Sequence, residues 1–208
     1  YLSKDVTSAS SQTDVRVPAW FTDPPRAAYV HIPFCAHKCG YCDFASVAGQ
    51  DELIDRYLAG LDLEMASILP EPADVDTIFV GGGTPTYPSA SQIESFLSRL
   101  RQHLRLVEGG EFTVESNPNT LTPDKVKILA EHGVNRVSLG AQSFHPHLLA
   151  QLERNHDPDS VPRAVEMIRQ RIDNVSIDLI FGIPGQSMEE WTRDLQRALA
   201  LDLDHLSA

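Results

Sequence analysis

The stretch Ala27-Ala28-Tyr29-Val30-His31-Ile32-Pro33-Phe34-Cys35-Ala36-His37-Lys38-Cys39-Gly40-Tyr41-Cys42-Asp43-Phe44 runs from a short strand-like segment directly into the chain's only three cysteines. Ala27–Ile32 predicts a strand, and a cysteine loop follows it at once. The spacing is C-x3-C-x2-C. An odd number of clustered cysteines argues against a disulfide framework and for metal or cluster binding in a reducing compartment. Thiolates are the usual ligands of iron–sulfur clusters, and three of them on a four-iron cubane leave one iron without a protein ligand. Structural zinc stays open on spacing alone; it wants four closed ligands, and His31 or His37 could supply the fourth.

Downstream, Val75–Val80 is a short apolar run of the kind a buried parallel strand shows. Gly81-Gly82-Gly83-Thr84-Pro85-Thr86 follows it directly. Glycines at a strand end permit close backbone approach to a ligand. The segment is no P-loop, because the Gly-Lys-Ser/Thr ending is missing.

Two carboxylates sit on strand patterns. In Phe112–Glu115, Phe112 and Val114 share a face, so Glu115 points the other way. In Val175–Ile180, Asp178 likewise opposes Val175, Ile177 and Leu179. If the apolar faces meet helices, both acids point into the interior, where a charge needs a partner or a ligand. The plain alternative is a buried ion pair with an arginine.

The remainder alternates. Leu53, Ile54, Tyr57, Leu58 and Leu61 recur at helical spacing. Ser89 and Gln92 form a capping box ahead of a stripe of Ile93, Phe96, Leu97, Leu100 and Leu104. Thr122-Pro123 is an N-cap and first-turn pair. Val134–Leu139 predicts a strand and Val161–Arg171 a helix. Ser187 and Glu190 are a second capping box, before Trp191, Leu195 and Leu199 at four-residue steps; a last strand begins near Asp204. Gly182, Pro184 and Gly185 shape a loop, while His103, His132 and His205 belong to no constellation. About six strands alternate with five or more helices, which implies an α/β fold with a parallel sheet and right-handed crossovers. The rhythm alone does not separate an open doubly wound sheet from a barrel. In either, the chemistry sits at the C-terminal strand ends.

Composition narrows the class. The 208 residues are 42% hydrophobic and 22% charged with a net charge of −12. That is the profile of a globular domain, and it argues against a broad nucleic-acid surface. No run of about 18 apolar residues predicts a transmembrane segment. Residues 1–26, rich in serine and proline, read as a flexible lead-in, and residues 27–208 as one domain. A first residue other than Met and an end inside a strand lead to the expectation that the chain is part of a longer protein.

The cysteine loop resembles the radical S-adenosylmethionine (SAM) signature. The longer string HIPFC…CGYCDF is similar to the coproporphyrinogen-oxidase-like branch of that superfamily, and within it to the HemW type. GGGTPT, ESNP, GAQSF, the R-x-H of Arg154 and His156, and DLIFGIPGQ match further family segments in order, over about residues 27–208. The resemblance implies a parallel, (β/α)6-type partial TIM barrel, truncated at its C-terminal end. It implies a [4Fe–4S] cluster on Cys35, Cys39 and Cys42, with SAM chelating the open iron. One electron from the reduced cluster would then cleave the sulfonium and release a 5′-deoxyadenosyl radical. The SAM amino group would meet Gly82, Gly83 and Thr84; Glu115 and Asp178 would lie near the ribose and sulfonium. Gln142 belongs to the site, Arg154 would pair with the SAM carboxylate, and Tyr29 and Tyr41 would line the site. His31 is structural in this reading, and no catalytic side chain is assigned beyond cluster and SAM.

Phe44 stands where the oxygen-independent coproporphyrinogen III oxidases usually carry a further cysteine, and it fits the HemW type. Such proteins bind haem and are thought to deliver it to respiratory proteins. The partners so implied are haem or a porphyrinogen, an electron donor such as flavodoxin or ferredoxin, and haem-accepting respiratory proteins, in the cytoplasm. The alternatives are a coproporphyrinogen III oxidase, which would make the chain an oxidoreductase of porphyrin biosynthesis, and a zinc-stabilised binding domain.

Overall fold

The computed structural model describes residues 25–69 and 71–208. The expected lead-in lies outside these residues, apart from Pro25 and Arg26. The elements run β1 (Ala27–Ile32), β2 (Phe34–Cys35), β3 (Val47–Ala48), a 3-10 turn (Asp51–Leu53), α1 (Ile54–Ile68), β4 (Ala73–Gly82), α2 (Ala90–His103) and β5 (Leu104–Ser116), followed by α3 (Pro123–Glu131), β6 (Arg136–Gln142), α4 (Pro146–Gln151), α5 (Ser160–Arg169), β7 (Asn174–Leu179), α6 (Met188–Leu199) and β8 (His205–Ser207).

Six strands form one all-parallel sheet in the order β1-β4-β5-β6-β7-β8. Each new strand is added on the same side of the last. A doubly wound sheet reverses direction at a switch point; this one never does, so it is an arc of barrel wall, and β1 and β8 do not pair to close it. That settles the choice the sequence rhythm left open.

Period-two alternation sorts the two faces of the arc. Val30, Ile32, Val75, Ile78, Val80, Phe112, Val114, Val137, Leu139, Val175 and Ile177 are buried in one continuous core with Ile93, Phe96, Leu97 and Leu100 of α2. Fully burying such a side chain contributes about 1.5–3 kcal/mol. Apart from Phe79, the opposite parity is polar or small. The register places Tyr29 beside Phe79 and Thr113, Glu115 beside Ser138 and Ser176, and Gly140 beside Asp178 and Ser207.

Helix starts follow their local signals. Ser89 and Ser187 accept the N3 backbone N–H in complete capping boxes, and Thr122 Oγ accepts from Lys125 N.

Three expectations are corrected. Leu104 is not the last residue of the α2 stripe but the first of β5, buried in the sheet core. The strand expected over Phe112–Glu115 is thirteen residues long, because its register against β4 slips between Val75 and Thr77 around Gly109 and Gly110. Leu199 is 73% exposed, while Trp191 and Leu195 pack on the core. Two successive four-residue steps rotate a helical position about 80° off its starting face, which carries Leu199 out to solvent.

Candidate functional site

The cysteine loop is pinned at both ends. Val47 N–H donates to the Pro33 carbonyl at 2.8 Å, and β2 pairs with β3. The β1–β4 pairing continues into the loop, with Gly83 N–H donating to Ile32 O at 2.8 Å and Thr84 N–H to Phe34 O at 2.9 Å. This brings the glycine segment against the first cysteine, where Thr84 Oγ1 lies 3.5 Å from Cys35 Sγ. A Cβ on Gly83 would lie 2.6 Å from the Pro33 oxygen and 2.9 Å from Cys35 Sγ, so the approach needs glycine. Gly82 has φ +114°, and a Cβ there would strike the His31 ring at 2.6 Å.

One cavity of about 900 Å3 opens at the C-terminal strand ends. Its wall includes Cys35, Cys39, Cys42, Tyr41, Gly82, Gly83, Thr84, Glu115, Gln142, Arg154 and Asp178, eleven of the twelve residues the sequence singled out. Six separate stretches of chain converge there. The twelfth, Tyr29, stands on the same sheet face but not in the wall; it stacks on Phe79 at 6.0 Å and its hydroxyl lies 3.1 Å from His31 Nδ1.

Among the described residues, neither acid has an arginine partner within salt-bridge distance. Glu115 accepts from Gly82 N–H at 3.0 Å, and Asp178 accepts from Ser138 Oγ at 3.2 and 3.1 Å. Burial pushes both carboxyl groups above their ordinary range; Asp178 adds to the effect on Glu115, while the Gly82 N–H and the Ser138 hydroxyl partly offset it. Such groups favour a nearby cation. The N–H groups of Gly82, Gly83 and Thr84 are all engaged internally, so the backbone of this segment can offer a ligand only carbonyl oxygens, which suit an ammonium.

Arg154 follows α4 and reaches back to the cysteine loop. Its Nη2 donates to Gly140 O at 2.7 Å, and its Nη1 lies 3.9 Å from Cys39 Sγ. Its Nε is buried without a partner among the described residues. A guanidinium so held retains a donor for a carboxylate.

A single zinc ion fits the cysteines poorly. Zinc–sulfur bonds of about 2.3 Å in a tetrahedron put sulfurs about 3.8 Å apart. Among the described residues, the only His, Cys, Asp or Glu trio whose ligand atoms all lie within 4.8 Å of one another is His145, His147 and Glu190. At least one pair of the three sulfurs therefore lies farther apart than 4.8 Å, beyond the separation a single zinc ion sets. His31 Nε2 lies 2.8 Å from Ala45 O and its Nδ1 meets Tyr29, while His37 Nε2 meets Glu153 at 3.3 Å. Both histidines have other partners.

Sequence reasoning missed several wall residues. Arg136 and Ser138 share the inward parity of β6 with Gly140 and Gln142, a signal present in the alternation of Arg136-Val137-Ser138-Leu139. Lys125 donates from Nζ to Thr86 O at 2.7 Å and Thr120 O at 3.0 Å, and no motif announced it. His205, set aside as ordinary, lines the cavity, whereas His103 pairs with Asp62 at 2.8 Å.

The Radical SAM superfamily matches residues 29–198. The chain is 42% identical over 184 residues to a protein of Lactococcus lactis subsp. lactis (strain IL1403) named heme chaperone HemW, covering 88% of this chain and 48% of that one. It is 40% identical to the protein of the same name from Bacillus subtilis (strain 168), covering 88% and 49%. For the one from Mycobacterium tuberculosis (strain ATCC 25618 / H37Rv) the values are 36%, 95% and 53%. The chain thus spans about half the length of the curated relatives it matches. Among solved structures, coproporphyrinogen III oxidase (HemN) from Escherichia coli, described as a radical SAM enzyme, superposes with a TM-score of 0.82 at 30% identity, over 90% of this chain and 44% of that one. The methyltransferase TsrM from Kitasatospora setae shares the fold at a TM-score of 0.61 and 17% identity, over 86% and 35%.

Proposed function

The chain belongs to the radical SAM superfamily, and from that premise we propose that it binds a [4Fe–4S] cluster through Cys35, Cys39 and Cys42, holds SAM in the adjoining cavity, and acts as a haem chaperone of the HemW kind. The observation that carries the cofactor reading is the convergence of the cysteine loop, the Gly82–Thr84 segment, Glu115, Gln142, Arg154 and Asp178 on one cavity. The chaperone reading is supported by the names of the relatives at 36–42% identity and by Phe44 after the third cysteine.

When bound and reduced, the cluster supplies one electron for cleaving the sulfonium of SAM. The protein's own contribution is orientation. Arg154 offers two-point recognition of a carboxylate, which a lysine cannot copy. The carbonyl side of Gly82–Thr84 suits the amino group. Glu115 and Asp178, desolvated and without cationic partners, suit the positive sulfur. Gln142 and Tyr41 complete the wall. Haem, an electron donor of the flavodoxin or ferredoxin kind, respiratory acceptors and a cytoplasmic setting complete the proposal. No helix of the described residues is long and apolar enough to cross a membrane.

A second reading, oxidation of coproporphyrinogen III, is favoured by the close superposition on HemN. Anaerobic reconstitution of the full-length protein decides between them. Haem retained through gel filtration, with no protoporphyrinogen formed in the presence of SAM and reductant, supports the chaperone; decarboxylated product supports the oxidase. Cys39→Ala tests the cofactor assignment beneath both. It should abolish the four-iron spectrum and reductive SAM cleavage, and a variant that kept both would overturn the ligand set.

A further inference from the structure

His145, His147 and Glu190 lie outside the cavity wall and serve none of the chemistry above. His145 is the N-cap residue of α4, in extended conformation and making no cap hydrogen bond. Two residues on, His147 Nε2 lies 3.0 Å from Glu190 Oε1. His145 Nε2 lies 3.2 Å from the Glu190 carbonyl. One potential ligand atom from each of the three residues falls within 4.8 Å of the other two. Zinc with bonds of about 2.0–2.2 Å to nitrogen and oxygen needs ligand separations of about 3.3–3.5 Å, so adjustments of at most about 1.5 Å, with the exposed His147 free to supply most of the movement, suffice.

The carboxylate is already oriented for this role. Glu190 Oε2 accepts from Ser187 N–H at 2.8 Å and Ser187 Oγ at 2.9 Å in the α6 capping box. That leaves Oε1 aimed at the imidazoles, an outer-shell arrangement typical of metal ligands. Asp194, fully buried, adds a second negative charge 3.8 Å from His145 Nε2.

We propose that His145, His147 and Glu190 bind one divalent transition ion of the zinc type. Two imidazoles and a carboxylate are a borderline-soft donor set that prefers zinc, nickel or copper to magnesium or calcium. Three protein ligands leave the fourth position to water. The bound ion joins the β6–α4 connection to the first turn of α6. The ends of that connected segment carry Gln142 and Arg154, so the ion braces the arm that forms one side of the cavity.

The test is titration of the protein with Co2+ and then Zn2+, read by absorption and by thermal unfolding. Ions taken by the cysteines show thiolate charge-transfer bands; an ion at this site does not. Wild type should bind one ion free of those bands, and Zn2+ should raise its unfolding midpoint. His147→Ala, a change at a side chain 59% exposed, and Glu190→Gln, which keeps the capping box, should each weaken that ion at least about tenfold and remove the Zn2+-dependent rise. Equal stoichiometry and an equal rise in wild type and His147→Ala would overturn the proposal and leave His147–Glu190 as an ordinary surface ion pair.

Discussion

The carboxylate of Glu115 accepts a hydrogen bond from the backbone N–H of Gly82 at 3.0 Å, tying β5 to the end of β4. That single bond is the charge's main compensation for burial, and it leaves the acid's pKa raised. Glu115→Gln keeps an oxygen for Gly82 and removes the desolvated charge. In cluster-free protein at neutral pH the variant should be as stable as wild type or more stable by about 1 kcal/mol, as read by urea unfolding. With the cluster loaded it should bind SAM about tenfold or more weakly by equilibrium dialysis. A loss of stability with unchanged SAM affinity would make Glu115 a structural acid.

Gly83 is where the sheet and the cysteine loop come closest. An alanine there meets backbone oxygen and the Cys35 sulfur inside 3.0 Å. Gly83→Ala should therefore displace Cys35 and cut iron incorporation during anaerobic reconstitution by half or more, while circular dichroism stays unchanged. Gly60, whose Cβ would meet nothing within 4 Å, is the control: Gly60→Ala should reconstitute as wild type does.

Arg154 spans the loop and the strand end, touching Cys39 and Gly140. Arg154→Lys keeps the charge and loses the fork. A charge-assisted hydrogen bond contributes about 1.5–3 kcal/mol, so SAM affinity should fall about tenfold to a hundredfold with the cluster spectrum intact. Unaltered affinity would remove Arg154 from the site.

His156 is buried, with Nε2 3.0 Å from Ala141 O and Nδ1 unpartnered among the described residues. Burial, aided by Arg154, lowers its pKa from 6.5 to about 4. In that window the unfolded chain binds more protons than the folded one, so stability falls as pH drops from about 6.5 towards 4. The loss should reach about 2–3 kcal/mol. His156→Gln can still donate to Ala141 and should flatten this part of the stability–pH profile, measured by denaturant midpoints at each pH.

Asp194 of α6 is fully buried and accepts from Ser143 Oγ at 2.8 Å and Phe144 N–H at 2.7 Å. Asp194→Ala orphans both donors and should cost about 3 kcal/mol by chemical denaturation. Leu199→Ala on the same helix, at a side chain left in solvent, should cost well under 1 kcal/mol.

The parts of this molecule that rest on short-range rules were readable in advance. Strand parity in Phe112–Glu115 and Val175–Asp178 gave both acids their correct side, because alternation is intrinsic to an extended chain. Both capping boxes and the Thr122 cap formed where their residues stood. Longer-range outcomes were not readable. The slip that lengthens β5 depends on its pairing with β4, and the one-way strand order depends on how helices pack across the sheet. Lys125 and His205 reach the cavity through tertiary placement alone. Leu199 misled because four-residue steps drift around a helix. Asp194 sits among polar helix residues, and only its two distant donors explain its burial.

Gln142 has φ +64° at the point where β6 slips register against β7. A non-glycine residue held there costs about 1 kcal/mol or more, and a glycine would relieve it. The fold therefore tolerates a weak spot in its wall so that an amide can reach inwards. Breeding for toughness at residue 142 would select a sturdier, emptier vessel.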